Sequence, residues 1–171
     1  KTLADIAALR KVAPVDALLA LLAEPGGPEA GIIARGMDDR DVAALMKWPF
    51  TNICSDGQST GLHPRGFGSF PKVLGRYVRD ERVFSLEEGV RRMTSLAAAN
   101  VGLQGRGTLA VGQAADLVLF DPSVVRDRAD FGHAQDTAVG IESVWVNGGR
   151  VFDHGAPLQV FSGVGLPRTR R

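Results

Sequence analysis

The sequence is poor in the residues from which disulfides and metal sites are built. Its 171 residues include a single cysteine, Cys54, so no internal disulfide can form, which fits a reducing compartment and a cytoplasmic location. The three histidines are His63, His133 and His154, and no two of them have HxH or HxxxH spacing. Because a zinc ion normally takes at least three protein ligands, we expect this chain to lack a complete zinc centre.

Long apolar runs and an excess of one charge are also missing. No apolar run reaches the roughly 18 residues of a membrane-spanning helix, and no signal-peptide pattern opens the chain. The net charge is +1, which gives no overall field to attract nucleic acid or an anionic membrane. We therefore expect neither as a partner and interpret the basic tail 167–171 as a solvated chain end. The start at Lys1 rather than at Met indicates a fragment or a processed chain.

Helical and strand patterns alternate over the first part of the chain. Apolar spacing predicts helices after Thr2, from Pro14 to 26–27, and between Asp38 and Pro49. Short apolar runs at 31–37 and 50–55 predict buried strands. A strand, a helix and a second strand within such a short stretch are typical of a parallel sheet.

The second part of the chain has a different sequence pattern. Residues 57–71 are rich in glycine and proline and are predicted to form a long loop, and Val73 to Val78 are predicted to start a helix. Ser85 and Glu88 have capping-box spacing, which predicts a helix that continues to about Asn100. Small antiparallel β structure is then predicted from strands at 115–120, 141–146 and 150–152, with a hairpin turn at Asn147-Gly148.

Asp56 is the first residue that could carry chemistry. It follows the predicted strand 50–55 and precedes a glycine-rich loop. In a parallel α/β barrel, this end of a strand carries the active site, and a carboxylate there can bind a metal or accept a proton from water. The alternative is a turn aspartate that caps its own backbone.

Arg65 and Cys54 lie close to Asp56 in sequence. An arginine at position 65 can hold a substrate carboxylate through two parallel hydrogen bonds, or it can be a solvated loop residue. A nucleophilic cysteine needs a paired base and an electropositive setting, so we interpret Cys54 as a small buried residue.

Two groups of motifs resemble known proteins. The first resembles the N-acyl-D-amino-acid deacylases, also called D-aminoacylases, and consists of Ser55-Asp56-Gly57, His63-Pro64-Arg65-Gly66 and Phe70-Pro71-Lys72-Val73-Leu74-Gly75-Arg76-Tyr77. The second is similar to the closing segment of the wider amidohydrolase superfamily and consists of Met93-Thr94-Ser95-Leu96-Ala97-Ala98, Gly105-Arg106-Gly107, Gly112 and Ala115-Asp116-Leu117-Val118.

This resemblance implies an α/β fold, namely the C-terminal part of a (β/α)₈ amidohydrolase barrel followed by a small antiparallel β-sandwich segment. Residues 1–92 would supply the last βα units of the barrel. Residues 93–171 would supply the end of the connecting helix and the β-sandwich segment.

The resemblance also implies a zinc-dependent hydrolase acting on the linear amide bond of small-molecule N-acyl-D-amino acids. Asp56 matches the aspartate that assists the metal-activated water, passes its proton to the leaving amine and can ligate the metal. Arg65 matches the arginine that holds the substrate α-carboxylate, and His63 matches a substrate-site position without an assigned role. The main zinc ligands would come from upstream chain that is missing here.

Two interpretations of the whole chain stay open at this point. In the first, it is the C-terminal fragment of a deacylase and is inactive alone. In the second, it is a standalone non-catalytic binding or assembly domain derived from an amidohydrolase. An incomplete barrel exposes strand edges and apolar faces, so we expect self-association or a need for the missing N-terminal part. Substrate preference stays open, because the loop 58–62 is short.

Overall fold

The computed structural model describes residues 1–26, 36–58, 60–61 and 63–166. The chain divides into two compact units, Lys1–Met37 and Asp38–Arg171. The predicted strand around Ile32 and Ile33 and the basic tail 167–171 lie outside the described residues. No helix among the described residues is long and apolar enough to cross a membrane.

The first unit contains a pair of packed helices, α1 (Leu3–Arg10) and α2 (Pro14–Ala23). Thr2 caps α1 with a complete capping box, because its hydroxyl accepts from the Asp5 amide while the Asp5 carboxylate accepts from the Thr2 amide. Pro14 occupies the first turn of α2, where its missing amide hydrogen costs nothing. Both predicted helices are confirmed.

The second unit contains the remaining helices. They are α3 (Asp39–Lys47), α4 (Arg65–Lys72), a π-helix (Val73–Asp80), α5 (Leu86–Met93) and α6 (Ser95–Val101). The cap predicted at Asp38 is confirmed, since its carboxylate accepts from the Arg40 amide at 2.8 Å. Ser85 also caps α5 as predicted. The helix does not continue unbroken to Asn100, because the backbone leaves helical geometry at Thr94 (φ −126°, ψ −91°).

The long loop predicted at 57–71 is wrong over its second half. Pro64 occupies the N-cap position of α4, and the π-helix continues directly from α4. Pro71 lies inside α4 and lacks the amide that the α-helical ladder would use, and the wider π turns begin two residues later. Glycine content alone predicted a loop, although the spacing of Phe67, Phe70 and Leu74 is compatible with a helix.

The strand predicted at 50–55 is also wrong. Residues 51–58 are irregular, and no parallel strand pair occurs among the described residues. A strand needs a hydrogen-bonded neighbour, and the described part of this chain offers this segment none. The segment is instead bonded to α5 and α6: the Ile53 amide donates to the Arg92 carbonyl oxygen at 3.2 Å, and the Asn100 side-chain amide donates to the Asn52 side-chain oxygen at 2.8 Å.

One antiparallel sheet follows, with strand order β1-β2-β3-β4. The strands are β1 (Leu117–Phe120), β2 (Ile141–Val146), β3 (Gly149–Asp153) and β4 (Ala156–Pro157). Asn147 and Gly148 both have positive φ (47° and 80°), which gives the tight hairpin turn that the Asn-Gly pair predicts. The antiparallel β structure is therefore confirmed, while a β-sandwich stays a prediction.

The core of the second unit lies between the π-helix and residues 125–126. Val73, Leu74 and Tyr77 of the π-helix are buried, and Val125 is fully buried. Gly75 allows the close approach, because a Cβ there would lie 2.6 Å from the Val125 carbonyl oxygen. This packing fixes the helix pair whose first turn carries Arg65.

Candidate functional site

Asp56 and Arg65 form an ion pair on the surface of the second unit. The Asp56 Oδ2 and Arg65 Nη1 atoms are 3.1 Å apart, and the side chains are 80 % and 47 % exposed. Asp56 has a φ of 47°, a left-handed conformation that aspartate tolerates better than most residues do. Two residues that the sequence separates by a glycine-rich segment therefore meet at one point.

Two glycines bring the Asp56 turn against the start of α4. A Cβ on Gly57 would lie 2.4 Å from the Gly66 Cα, a distance that no side chain can occupy. The Gly57 amide also donates to the Ser55 hydroxyl at 3.1 Å, which closes the turn. The close approach of Gly57 and Gly66 places Asp56 beside Arg65.

His63 is the third predicted site residue, and it lies next to this pair. Its Nδ1 accepts a hydrogen bond from the Arg65 amide at 3.1 Å, so His63 helps to begin α4. The exposed imidazole ring meets the ring of Phe131 edge-on, with centroids 5.2 Å apart. No sequence pattern indicated Phe131 as a neighbour of the site, because an aromatic residue in a polar loop has no characteristic spacing.

Arg92 is a second residue that the sequence analysis missed. It is 3 % exposed, and its Nε donates to Glu88 at 2.7 Å. The signal for it is the i,i+4 spacing of Glu88 and Arg92 on a helix. Its main-chain carbonyl and its guanidinium both contact the segment that leads to Asp56.

Cys54 is exposed, so the prediction of a small buried residue is wrong. The irregular segment 51–58 leaves it uncovered, because no neighbouring strand lies over it in the described residues.

The described residues do not group three potential metal ligands of the His, Cys, Asp or Glu type. His133 is 3.3 Å from Asp130 and His154 is 2.7 Å from Asp153, so each pairs with a nearby carboxylate rather than with Asp56. The exposed Asp56 carboxylate fits one oxygen ligand of a zinc ion.

The Asp56–Arg65 arrangement offers two complementary functions to a small ligand. An exposed ion pair contributes little free energy, so a ligand carboxylate can compete with Asp56 for the Arg65 guanidinium. The carboxylate of Asp56 is then free to accept a proton. The arrangement therefore suits a substrate that carries a carboxylate close to its reacting group.

Comparison with known proteins shows the family of the chain. The sequence profile of the amidohydrolase family matches residues 2–152. A D-aminoacylase and an N-acyl-D-aspartate deacylase, both from Alcaligenes xylosoxydans xylosoxydans, are each 46 % identical to the chain, over 142 and 126 residues (82 % and 72 % of the chain).

Solved structures give the same result. A D-aminoacylase studied for its binuclear metal centre superimposes on 98 % of the chain with a TM-score of 0.84 and 39 % identity. The N-acyl-D-glutamate deacylase from Bordetella bronchiseptica, complexed with zinc and a phosphonate inhibitor, superimposes on 95 % with a TM-score of 0.78 and 41 % identity. The helices and the small antiparallel sheet thus match the fold of these enzymes.

The chain spans 29 % and 25 % of the two Alcaligenes relatives, and 35 % and 34 % of the two solved chains. Within that span, the sequence profile, the identities and the superpositions agree with one another. The resemblance seen in the motifs is confirmed: this chain belongs to the amidohydrolase family, with D-aminoacylases and related N-acyl-D-amino-acid deacylases among its relatives.

Proposed function

We propose that this chain supplies the C-terminal part of a zinc-dependent hydrolase, which cleaves the linear amide bond of N-acyl-D-amino acids to give a D-amino acid and a carboxylate. In this proposal residues 1–92 form the last βα units of a (β/α)₈ barrel, and residues 93–171 form the end of the connecting helix and a segment of a β-sandwich. The remaining barrel units and the main zinc ligands belong to polypeptide beyond these 171 residues.

The observation that carries the proposal is the 3.1 Å pairing of Asp56 with Arg65. An N-acyl amino acid has a carboxylate next to its amide nitrogen, so its two recognised groups are a few bonds apart. A base and a guanidinium that lie side by side match this spacing. The relatives named as deacylases of N-acyl-D-aspartate and N-acyl-D-glutamate support the substrate class.

Each site residue has a defined role in the proposal. Arg65 binds the substrate carboxylate through its planar guanidinium. Asp56 accepts a proton from the attacking water and delivers it to the leaving nitrogen, so that one carboxylate serves as base and then as acid. His63 holds the Arg65 main chain and borders the substrate through its exposed ring.

Zinc, when bound, polarises the amide carbonyl and lowers the pKa of water, and Asp56 is the residue of this chain that would contribute a ligand. The structures of two relatives support this cofactor, since one has a binuclear metal centre and the other contains zinc. Because one carboxylate does not make a zinc site, the 171-residue chain alone should be inactive.

A chimera tests the proposal. The part of this chain that matches over 142 residues replaces the corresponding segment of the Alcaligenes D-aminoacylase, and turnover of N-acetyl-D-amino acids is measured with zinc. We expect an active chimera, and Asp56→Asn should lower kcat by about 10²- to 10⁴-fold, the usual contribution of a general acid–base group.

The matched control is Asp80→Asn, since Asp80 is an exposed carboxylate that pairs with its neighbour Arg79. Its activity should equal that of the unsubstituted chimera. Full activity of the Asp56→Asn chimera, or turnover by the isolated 171-residue chain, would refute the proposal.

The exposed apolar surface keeps a second candidate function open, that of a standalone non-catalytic binding or assembly domain. Leu45, Trp48 and Phe50 are largely exposed around the end of α3. An inactive chimera, together with a stable complex formed by the chain through these residues, would favour this second function.

A further inference from the structure

We infer that Arg92 is a positioning residue for Asp56: its buried guanidinium and its main-chain carbonyl together fix the end of α3 and the irregular segment 48–53 that leads to the carboxylate. The inference rests on the proposed function for its catalytic meaning. Its structural half, namely that Arg92 holds the segment before Asp56 in place, depends only on the hydrogen bonds that Arg92 makes.

The guanidinium of Arg92 donates hydrogen bonds to carbonyl groups that would be bonded within a helix or a sheet if the segment were regular. Its Nη1 donates to the carbonyl oxygens of Met46, Trp48 and Thr51 at 2.5, 2.5 and 3.2 Å. Two of these carbonyls lie at the end of α3, where helical carbonyls lack partners within the helix. The third lies in the irregular segment, so one cation joins the end of the helix to the chain that follows.

The main chain of Arg92 holds the next part of the segment. Its carbonyl oxygen accepts from the Ile53 amide at 3.2 Å, three residues before Asp56. One residue of α5 therefore contacts the segment on both sides of its midpoint. Since no strand pairs with 48–53 among the described residues, these bonds take the place of a β ladder, together with one from the Arg91 Nη2 to the Pro49 carbonyl oxygen at 3.1 Å.

The burial of the Arg92 guanidinium requires that its charge and its donors have partners. Arg92 is 3 % exposed, and an uncompensated guanidinium at such a site would be costly. Glu88 supplies the counter-charge at 2.7 Å from Nε, and the ring of Phe84 lies 5.3 Å from the guanidinium carbon. A lysine would keep the charge, but its single nitrogen cannot donate both to the three carbonyls and to Glu88, as the separate Nη1 and Nε of arginine do.

The first test uses the 171-residue chain itself. NMR measures the hydrogen-exchange rates of its backbone amides. Arg92→Lys and Arg92→Gln are compared with Arg106→Lys, a control in which a mostly buried arginine bonded to Asp116 and Asn147 is changed. We expect the Ile53 amide to exchange about tenfold faster or more in at least one Arg92 variant, while amides of β2 keep their protection. Arg106→Lys should leave Ile53 unchanged.

Two outcomes overturn the structural half. One is an Ile53 exchange rate equal to that of the unsubstituted chain in both Arg92 variants. The other is a loss of protection in both variants that affects Ile53 and β2 together, since this would mean that Arg92 only stabilises the whole unit.

The catalytic half is tested in the chimera. Arg92→Lys should lower kcat about tenfold to a hundredfold with little change in KM, because the substrate-binding Arg65 is not moved by the substitution. Unchanged kcat together with faster Ile53 exchange would overturn the positioning role. An unsubstituted chimera without activity would contradict the proposed function alone and would leave the exchange result standing.

Discussion

In the proposed function, Arg65 is the residue whose geometry bears most directly on substrate choice. Its ion pair with Asp56 is exposed, so the pair is weak and a substrate carboxylate can replace Asp56. In the chimera we expect Arg65→Lys to raise KM about tenfold to a hundredfold with a smaller change in kcat, since lysine cannot bind a carboxylate through two parallel bonds.

The matched control for Arg65→Lys is Arg40→Lys. Arg40 also pairs with an aspartate, Asp38, but its side chain is 90 % exposed at the start of α3. Steady-state kinetics of the two variants separate a substrate contact from a general effect of replacing arginine. Equal KM values for Arg65→Lys and the unsubstituted chimera would exclude Arg65 from carboxylate binding.

Gly57 is the residue at which close contact between two main-chain segments fixes the position of Asp56. A Cβ at position 57 would lie 2.4 Å from the Gly66 Cα, and neither main chain can yield as a flexible side chain would. We expect Gly57→Ala to destabilise the unit by about 1 to 3 kcal/mol and to lower kcat, because it forces Asp56 away from Arg65. Thermal unfolding and chimera kinetics measure the two effects.

Gly163→Ala is the control for this substitution, because a Cβ at position 163 would meet nothing within 4 Å. It should leave both Tm and kcat unchanged. A Gly57→Ala variant that behaves like Gly163→Ala would show that the Asp56 turn and the start of α4 do not need to approach closely.

At the residue scale the sequence predicted which positions could carry chemistry, but not their surroundings. Asp56, Arg65 and His63 could be named from motifs, and the structure brings the three together. Phe131 and Arg92 could not be named from these motifs. Phe131 lies far along the chain from Asp56, and Arg92 belongs to the regular pattern of a helix. Long-range partners leave little trace in local spacing.

Helix α5 carries Glu88, a carboxylate that accepts hydrogen bonds from two arginines of the same helix. Bonds from Arg91, and next from Arg92, hold the pKa of Glu88 at about 2, below its ordinary value of 4.5. The unfolded chain therefore binds more protons between these values, and the stability that Glu88 contributes is lost as the pH falls from about 4.5 toward about 2.

We expect the Tm of the unsubstituted chain to fall more steeply than that of Glu88→Gln between about pH 5 and about pH 2.5, so that the two curves converge. Glu142→Gln is the control, because Glu142 is an exposed residue of β2 that forms no ion pair among the described residues. Parallel Tm curves for the unsubstituted chain and Glu88→Gln would contradict the role assigned to Glu88.

Elements with a local cause were predicted well. The caps at Thr2, Asp38 and Ser85 and the Asn147-Gly148 turn follow from neighbouring residues, and all are confirmed. The strand at 50–55 failed for the opposite reason: its apolar pattern was present, but a strand also requires a partner, which is a property of the surrounding chain.

At the scale of the whole molecule, the second unit exposes apolar side chains that the described residues do not cover. Trp48 and Phe50 are 61 % and 70 % exposed, and their rings meet edge-on with centroids 6.1 Å apart. They follow α3 and precede Asp56, in the part of the chain for which the proposed barrel would supply neighbours. Exposed aromatic clusters of this kind are typical of surfaces that contact other polypeptide.

We therefore expect the 171-residue chain to self-associate, and the double substitution Trp48→Glu with Phe50→Ser should weaken the association about tenfold or more, because buried aromatic residues dominate most protein contacts. Sedimentation equilibrium over a range of concentrations measures the effect. Leu109→Ser is the control, since Leu109 is 86 % exposed but lies between α6 and β1, away from the aromatic pair. The expectation is contradicted if the chain stays monomeric, or if its association changes with the Leu109 substitution and not with those at Trp48 and Phe50. Either result would mean that this surface is stable in contact with water. The apolar side chains around α3 would then no longer indicate a missing neighbour.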